Sequence, residues 1–374
     1  MQIGIIGTRG IPNYYGGFEQ CAEFLAVQLT HLGHEVTVYN SHYHPYREKI
    51  FQGVTIIHCY DPEKYLGLAG QFIYDFNCIL DTRKRNFDLI LQLGYTTNAI
   101  WGWLLPSRPV IVTNMDGIEW MRSKYPFLVQ EFLKKAERWA VNSSDYLVSD
   151  SIGIQQHIEK VYNLSSTYIP YGSYVFTNPN SEILEDFSLM PYQYDMLIAR
   201  LQSDNSIDEI LEGVIKASKR TFLVVGNHLT KYGRYLTRKY AKYSNIKFLG
   251  AIYDLYTLDN LRYYSNIYFH GHRVGGTNPS LLEAMASSAF ICAYDNIFNK
   301  SILGKDAFYF RTSEDIAQVI SEYTKLQYHS FLENNRIKIE NTYHWPLIVK
   351  QYEELFKEAI ASNTHSIKKQ TISI

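Results

Sequence analysis

Short apolar runs alternate with amphipathic stretches along most of this chain. In the first half the runs are QIGII (2–6), EVTVYN (35–40), VTIIHCY (54–60), DLILQLG (88–94), PVIVTN (109–114) and DYLVSDS (145–151). They are apolar at nearly every position, which is typical of parallel strands buried on both faces. Between the first two runs, apolar residues recur at helical spacing from Phe18 until Gly33 ends the helix. This alternation predicts an α/β protein with a doubly wound sheet.

The alternation restarts after a polar, acidic segment at 178–188, with further runs at 194–201, 220–227, 246–250 and 266–272. A chain of 374 residues is long enough for two cores. We therefore predict two Rossmann-like domains, 1–175 and 176–345, followed by a helix at 346–362 that returns to the first domain and a tail at 363–374. Such domains would face each other across a cleft at the carboxyl ends of their sheets, where ligands bind.

Composition narrows the classes of function. The net charge of -1 gives no basic excess, so nucleic acid is not an expected partner. The four cysteines are scattered, and the pairs HYH (42–44) and HGH (270–272) have no evident third ligand, so we predict neither a disulfide framework nor a metal site.

The chain has no run of 18 apolar residues, and its N-terminus lacks a basic region leading into an apolar stretch. We therefore predict a cytoplasmic protein without a transmembrane helix or a secretory signal. Aromatic stretches accompany basic runs such as TRKRN (82–86), MRSKYPF (121–127) and FLKKAERW (132–139) in the first domain. They are compatible with peripheral contact with the membrane, and equally with buried helix faces and solvated charges.

The first strand leads into a glycine-rich loop, GTRGIPNYYGGFEQ (7–20). Its glycines do not form G-x-G-x-x-G, and the second strand ends in Tyr39-Asn40 rather than in an acidic residue. A nicotinamide-dependent dehydrogenase is therefore the least favoured interpretation. The length of the loop suits an active-site flap, with a plain connector as the alternative.

A second glycine loop lies in HGHRVGGTNPSLLEAMASS (270–288), between a predicted strand and a predicted helix. Asn278 or Ser280 can cap that helix, and Gly275 and Gly276 let the backbone approach a ligand closely. Backbone N–H groups and the helix dipole would attract a diphosphate there. Glu283, one turn later, could accept hydrogen bonds from sugar or ribose hydroxyls. The alternative is a well-capped helix with an exposed glutamate.

These motifs resemble the retaining glycosyltransferases of family four, which have two Rossmann-like domains (GT-B). GGTNPSLLEAMASS resembles the donor-binding signature, and YHWPLIVKQYEELF (343–356) resembles the terminal crossover helix. The pattern G-T-R-G-I-P-x-x-Y-G-G-F-E resembles a subset that includes bacterial rhamnosyltransferases of polysaccharide assembly. The resemblance implies a metal-independent transfer that needs no cofactor besides the nucleotide-sugar donor.

The resemblance also implies the donor-binding residues. They are Gly16, Gly17, Arg200, Gly275, Gly276, Thr277, Asn278, Ser280 and Glu283. The sequence departs from the family at two positions, because Gly275 and Asn205 stand where a glutamate and a lysine are common. We regard Lys231 and Arg273 as candidates for the missing cation. The missing glutamate is compatible with a deoxysugar donor.

DGIEW follows the strand PVIVTN, which places Asp116 and Glu119 at the carboxyl end of a strand. Carboxylates there can orient or deprotonate an acceptor hydroxyl, although Asp116 is equally suited to cap a helix. Trp120 offers an apolar face to a sugar ring or packs in the core. By resemblance, Glu19 lies near the donor diphosphate and joins Arg200 in the catalytic set. The remaining predicted acceptor-binding residues are Tyr14, Tyr15 and Phe18.

The sequence thus predicts an enzyme that transfers a sugar from a nucleotide diphosphate to a saccharide acceptor. The first choice is L-rhamnose from dTDP-rhamnose, moved to a polyprenyl-diphosphate-linked saccharide in cell-surface polysaccharide synthesis. A hexosyltransferase using a UDP- or GDP-sugar, a nucleotide-sugar 2-epimerase and a non-catalytic scaffold are the alternatives.

Overall fold

The computed structural model describes residues 1–115, 117–217 and 220–372. The chain divides into two compact units by the density of its internal contacts. The first unit contains Met1–Met121, Phe127–Tyr171 and Trp345–Ile374, and the second contains Arg122–Pro126 and Gly172–His344. The chain passes from the first unit to the second at Gly172, whereas the predicted boundary lay between residues 175 and 176. It returns to the first unit at Trp345.

The first unit is built on a sheet that is eight-stranded among the described residues. Its strands are β1 (Gln2–Ile6), β2 (Glu35–Ser41), β3 (Ile50–Phe51), β4 (Val54–Cys59), β5 (Leu89–Leu93), β6 (Val110–Asn114), β7 (Tyr146–Ser149) and β8 (Thr167–Tyr168). The order is β3-β4-β2-β1-β5-β6-β7-β8, and all pairs are parallel except β3 with β4.

The second unit carries a parallel sheet that is six-stranded within the described ranges. Its strands are β9 (Tyr194–Ile198), β10 (Thr221–Val225), β11 (Ile246–Gly250), β12 (Tyr268–His270), β13 (Ile291–Tyr294) and β14 (Phe308–Phe310). The order is β11-β10-β9-β12-β13-β14, the strand order of a Rossmann fold. The predicted doubly wound α/β architecture is therefore confirmed for each unit.

Helices connect the strands in both units. They are α1 (Gly17–His31), α2 (Glu63–Leu66), α3 (Gly70–Thr82), α4 (Phe127–Ser143), α5 (Ile152–Tyr162), α6 (Ile207–Ala217), α7 (Lys231–Tyr240), α8 (Leu255–Tyr264), α9 (Pro279–Ala286), α10 (Ile297–Leu303), α11 (Ser313–Glu322), α12 (His329–Asn341) and α13 (Trp345–Ile372). No helix of the described chain is long and apolar enough to cross a membrane.

The closing helix α13 belongs to the first unit. Its first residue, Trp345, stacks on Phe24 of α1 with ring centroids 4.8 Å apart. Further along, the Tyr352 hydroxyl accepts a hydrogen bond from the Asn114 side chain at 3.0 Å. These contacts explain why the C-terminal helix packs with a sheet that is formed more than 170 residues earlier.

The core of the second unit depends on close packing between α6 and α11. A Cβ built on Gly213 of α6 would lie 2.5 Å from Cγ2 of Ile316 on α11, closer than real side chains approach. Ile316 is fully buried, so it has no room to move away. Glycine at position 213 therefore sets how closely the two helices approach.

We expect Gly213→Ala to lower the free energy of unfolding by about 1–2 kcal/mol. Overpacking a core costs about 1–3 kcal/mol, and we expect about 2–3 here because the new Cβ would also lie 2.8 Å from the Ser313 carbonyl oxygen. The higher helix propensity of alanine offsets about 1 kcal/mol of that loss. Urea denaturation of the two proteins measures the difference. The control is Gln318→Ala at an exposed position of α11, which should change stability by less than about 0.5 kcal/mol. A Gly213→Ala variant as stable as the parent would contradict this account of the packing.

Candidate functional site

Both glycine loops begin where the strand order of their sheet reverses. In the first unit the reversal lies between β1 and β5, and in the second between β9 and β12. Loops that leave adjacent strands there run to opposite faces, which opens a crevice at the carboxyl edge of the sheet. Gly7 illustrates the close fit, because it has a φ of +86° and a Cβ there would lie 2.5 Å from the Leu93 carbonyl oxygen of β5.

Side-chain hydrogen bonds anchor the opening loop (residues 7–16) within the first unit. The buried Glu19 carboxylate accepts a hydrogen bond from the Arg9 backbone N–H at 2.9 Å. The Asn40 side chain accepts from the Ile11 N–H and donates to its carbonyl. The Arg9 guanidinium in turn pairs with both carboxylate oxygens of Glu63, at 2.7 and 3.1 Å. Glu19, predicted as a catalytic residue, therefore has a visible role in holding the loop.

The aromatic residues predicted to contact the acceptor have different environments. Tyr14 and Tyr15 are 58% and 55% exposed. The Arg9 guanidinium lies 3.8 Å from the centre of the Tyr15 ring, so one face of that ring is already covered. The Phe18 ring packs against Gly94, the residue that follows β5. A Cβ built on Gly94 would lie only 3.1 Å from that ring. Gly16 is the N-cap of α1 and Gly17 is its first residue.

The DGIEW segment is only partly described. Asp116 lies outside the described residues. The Glu119 N–H donates to the hydroxyl of Tyr95 at 3.3 Å. Trp120 donates its indole N–H to the buried Glu137 at 3.1 Å, and the Lys134 ammonium lies 4.9 Å from its ring centre. These contacts of Trp120 fit the structural alternative better than an open sugar-binding face.

In the second unit, the loops after β9 and β12 meet backbone to backbone. A Cβ on Gly271 would lie 2.2 Å from the Asn205 carbonyl oxygen. The Asn205 side chain donates to the Arg200 carbonyl at 2.8 Å, and the Arg273 N–H donates to the Asp204 carbonyl at 3.3 Å. Asn205, which stands where the resemblance predicts a lysine, therefore stabilises the loop that carries Arg200.

The N-terminus of α9 is capped as the sequence predicts. The Asn278 side chain accepts from the Ser280 N–H at 3.0 Å, and Pro279 occupies the first helical position. The Ser280 hydroxyl is paired with the hydroxyl of Tyr268 at 2.7 Å, and Thr277 is buried. The Ser280 N–H is therefore used by the cap and its hydroxyl is paired with Tyr268, and the role of Ser280 in donor binding stays a prediction.

The glycine pair before the helix remains open to a ligand. Neither Gly275 nor Gly276 donates its N–H to a protein acceptor within the described ranges. Gly275 has a φ of +155°, a conformation that favours glycine. The N–H groups of the two glycines are thus available as hydrogen-bond donors at this turn.

A buried arginine orients Glu283. The Arg262 guanidinium, 1% exposed, contacts a Glu283 carboxylate oxygen at 2.5 Å and Asp259 of its own helix at 2.9 Å. Burial raises the pKa of Asp259, while the neighbouring Arg262 charge acts in the opposite direction. The contact with Arg262 fixes the orientation of the Glu283 carboxylate. No motif indicated Arg262; the only signal was an i, i+3 Asp-Arg pair.

The three cations predicted to contact the donor diphosphate differ in their contacts with other protein groups. Arg200 is exposed near the start of the loop that follows β9, and Lys231 is exposed at the start of α7. Arg273 instead pairs with Glu209 and donates to the Ser206 hydroxyl at 2.8 Å, and its guanidinium lies beside the Tyr294 ring. Arg273 is therefore less suited to a ligand diphosphate than the sequence suggested.

The structure adds a cation that the sequence analysis assigned elsewhere. Arg122, in the MRSKYPF run, clusters with the second unit rather than with the first domain. It is 9% exposed, and its Nη1 atom lies 3.4 Å from Asp204 in the β9 loop. Lys124 donates to Gln202 of the same loop at 3.2 Å. Placing this run among the surface charges of the first domain was wrong, because ion pairs between distant segments leave no local pattern.

Two histidines, the buried His270 and the partly exposed His272, lie where β12 ends. His270 and His272 stack with ring centroids 4.4 Å apart. Burial, together with the charges of Arg200 and Arg122, lowers the pKa of His272 to about 3. Its Nδ1 atom has no hydrogen-bond partner within the part of the chain that the structure describes. No group of three potential metal-ligating side chains occurs among the described residues.

Comparisons with known proteins bear on the fold. A family model described as a domain of unknown function, DUF1972, matches residues 108–174. No curated protein sequence is significantly similar to the chain. Sucrose-phosphate synthase from Thermosynechococcus elongatus superposes with a TM-score of 0.78 at 15% identity, over 96% of this chain and 99% of that one.

Two further solved structures are similar over nearly their whole length. HepE from Anabaena, in complex with UDP and glucose, has a TM-score of 0.73 at 15% identity, covering 96% of this chain and 99% of that one. WaaG, a glycosyltransferase involved in lipopolysaccharide biosynthesis, has a TM-score of 0.67 at 14% identity, covering 94% and 98%. The chain therefore has the two-Rossmann-domain fold of GT-B glycosyltransferases.

The environment of His272 predicts a pH dependence of stability. An unfolded histidine titrates near pH 6.5, whereas His272 titrates at about 3 in the fold, so the unfolded chain binds the extra proton between these values. Its stabilising contribution is complete above pH 6.5 and is lost as the pH falls towards 3. Relative to His272→Gln, the parent should lose up to about 1.4 kcal/mol per pH unit in that window. Urea denaturation from pH 7 to 4.5 measures this difference, and parallel curves would contradict it.

Proposed function

We propose that this chain is a retaining, metal-independent glycosyltransferase that uses a nucleotide-diphosphate sugar. The observation that carries the proposal is the convergence of three elements at the reversal point of the second sheet. These are the Gly275–Gly276 turn after β12, Arg200 after β9 and Glu283 on α9. Open N–H groups and a guanidinium suit a diphosphate, and a carboxylate oriented by Arg262 suits a ribose diol.

The proposed reaction makes an electrostatic demand on these residues. The bond between the anomeric carbon and the phosphate oxygen breaks, the acceptor hydroxyl oxygen forms the new glycosidic bond, and its proton passes to the departing diphosphate. Negative charge grows on the diphosphate as that bond breaks. Preorganised N–H groups and the Arg200 guanidinium would stabilise it more in the transition state than in the bound donor. No cofactor takes part in this scheme.

The proposed donor is dTDP-L-rhamnose, and the proposed acceptor is a polyprenyl-diphosphate-linked saccharide used in cell-surface polysaccharide synthesis. The resemblance of G-T-R-G-I-P-x-x-Y-G-G-F-E to bacterial rhamnosyltransferases supports this choice of donor. Gly275 also supports it, because a glycine in place of a glutamate suits a deoxysugar, which has fewer hydroxyls than a hexose. The involvement of WaaG in lipopolysaccharide biosynthesis is consistent with a lipid-linked acceptor. In this proposal Glu119 and the exposed Tyr14 and Tyr15 of the first unit serve the acceptor.

The proposed location is the cytoplasm, with peripheral contact to the membrane. In the first unit, Trp103, Phe127 and Leu128 are 76%, 70% and 79% exposed, although their side chains are large and apolar. The exposed Lys134 and Lys135 lie one to two turns further along α4 than Phe127 and Leu128. Apolar side chains beside lysines are the combination that docks on anionic lipid.

A screen of nucleotide sugars tests the donor. We expect dTDP-rhamnose to raise the melting temperature, and UDP-glucose and GDP-mannose to raise it less. A ligand at 100 times its dissociation constant adds about 2.7 kcal/mol of stability. A shift with a UDP- or GDP-sugar and none with dTDP-rhamnose would contradict the rhamnose proposal while leaving a glycosyltransferase in place.

Substitutions at the donor site test the assignment of residues. We expect Arg200→Ala and Glu283→Ala each to lower kcat/KM for sugar transfer at least tenfold, because each removes a group that contacts the donor. The matched control is Arg238→Ala, which removes an exposed guanidinium on α7 and should leave kcat/KM unchanged within twofold. Full activity in both site variants would overturn the assignment.

The same assay separates transfer from the 2-epimerase alternative. An epimerase converts a nucleotide sugar with no acceptor present, whereas the proposed enzyme leaves the donor sugar's configuration unchanged until an acceptor is added. Appearance of an epimerised nucleotide sugar without acceptor would replace the transferase proposal.

A further inference from the structure

Two arginines from distant parts of the sequence reach the same edge of the second sheet. Arg200 follows β9, whereas Arg122 belongs to the short segment Arg122–Pro126. Both charges act on His272, the residue that follows Gly271 after β12. Arg122 is held in place through Asp204, and its neighbour Lys124 contacts Gln202. The segment is thus fastened to the β9 loop at two points.

Arg122 lies over the glycine turn. A Cβ built on Gly275 would be 3.9 Å from the Nη2 atom of Arg122. A glutamate at position 275, which the family resemblance leads one to expect, would place its carboxylate beside this guanidinium and pair with it. Glycine at that position leaves the charge of Arg122 directed to the place where the backbone N–H groups of the turn are open.

Two guanidinium groups, those of Arg122 and Arg200, suit an anion at this edge of the sheet. His272 is neutral at neutral pH, since burial lowers its pKa to about 3. A buried guanidinium is stabilised by binding an anion, and its planar donors match phosphate oxygens in a bidentate arrangement.

We propose that Arg122 binds the diphosphate of the donor and supplies the positive charge that Asn205 does not. The inference rests on the proposed function, since the diphosphate is the donor's. Arg122 and Arg200 would then approach the diphosphate from two loops, in place of an arginine and a lysine on one loop.

The test compares ligands with and without phosphates. The dissociation constants of dTDP, UDP and GDP are measured by calorimetry, and those of thymidine, uridine and guanosine by ligand-observed NMR. With whichever diphosphate binds the parent protein, we expect Arg122→Gln to weaken binding at least tenfold and to leave binding of the matching nucleoside unchanged. Arg122→Lys keeps the charge without the bidentate geometry and should weaken diphosphate binding three- to tenfold.

Control variants distinguish three outcomes: a misfolded protein, an Arg122 that does not bind the diphosphate, and a protein that does not bind nucleoside diphosphates. Arg238→Gln removes an exposed guanidinium on α7 and should leave diphosphate binding within twofold, and melting temperatures without ligand identify a misfolded variant. If Arg122→Gln does not fold, Arg122→Lys decides the question. Unchanged diphosphate binding in the folded Arg122 variant, or an equal loss for diphosphate and nucleoside, would overturn the role of Arg122 alone. A parent protein that binds none of the three diphosphates would overturn the proposed function itself.

Discussion

The backbone contact between the loops after β9 and β12 is the constraint on which the second unit's site depends. Gly271 and the Asn205 carbonyl approach so closely that no side chain fits between them. This contact fixes the β9 loop against the glycine turn and sets where Arg200 and Asp204 stand relative to Gly275. The strand order makes the contact possible, because β9 and β12 are neighbours in the sheet although about 70 residues separate them in sequence.

The charges of the site are arranged by burial as much as by sequence position. Arg262 is buried with two carboxylates, and removing it would leave Glu283 partly buried without its partner, which is costly in a protein interior. His272 is held neutral beside two arginines, so it adds no positive charge that would have to be compensated. The guanidiniums are thereby concentrated at the glycine turn, and the carboxylate of Glu283 is kept on the following helix.

Local patterns predicted the parts of this structure that local forces determine. The buried strands, the Asn278 cap and the glycine turn were all readable from apolar runs and turn residues. Strands β13 and β14 were not predicted, because β14 has three residues and the run of β13 follows directly on the apolar end of α9. Arg122 and Arg262 were missed because their partners are 82 and 21 residues away, and an ion pair over such distances has no periodicity. Ser280 and Arg273 were predicted as ligand contacts, but their side chains have protein partners that only the fold brings near.

The most direct test of the account is a crystal structure of the protein with a bound nucleoside diphosphate. The account predicts phosphate oxygens within hydrogen-bond distance of the N–H groups of Gly275 or Gly276 and of the Arg200 guanidinium, with a ribose hydroxyl donating to Glu283. A diphosphate bound at the opening loop of the first unit, with the glycine turn of the second unit unoccupied, would contradict it.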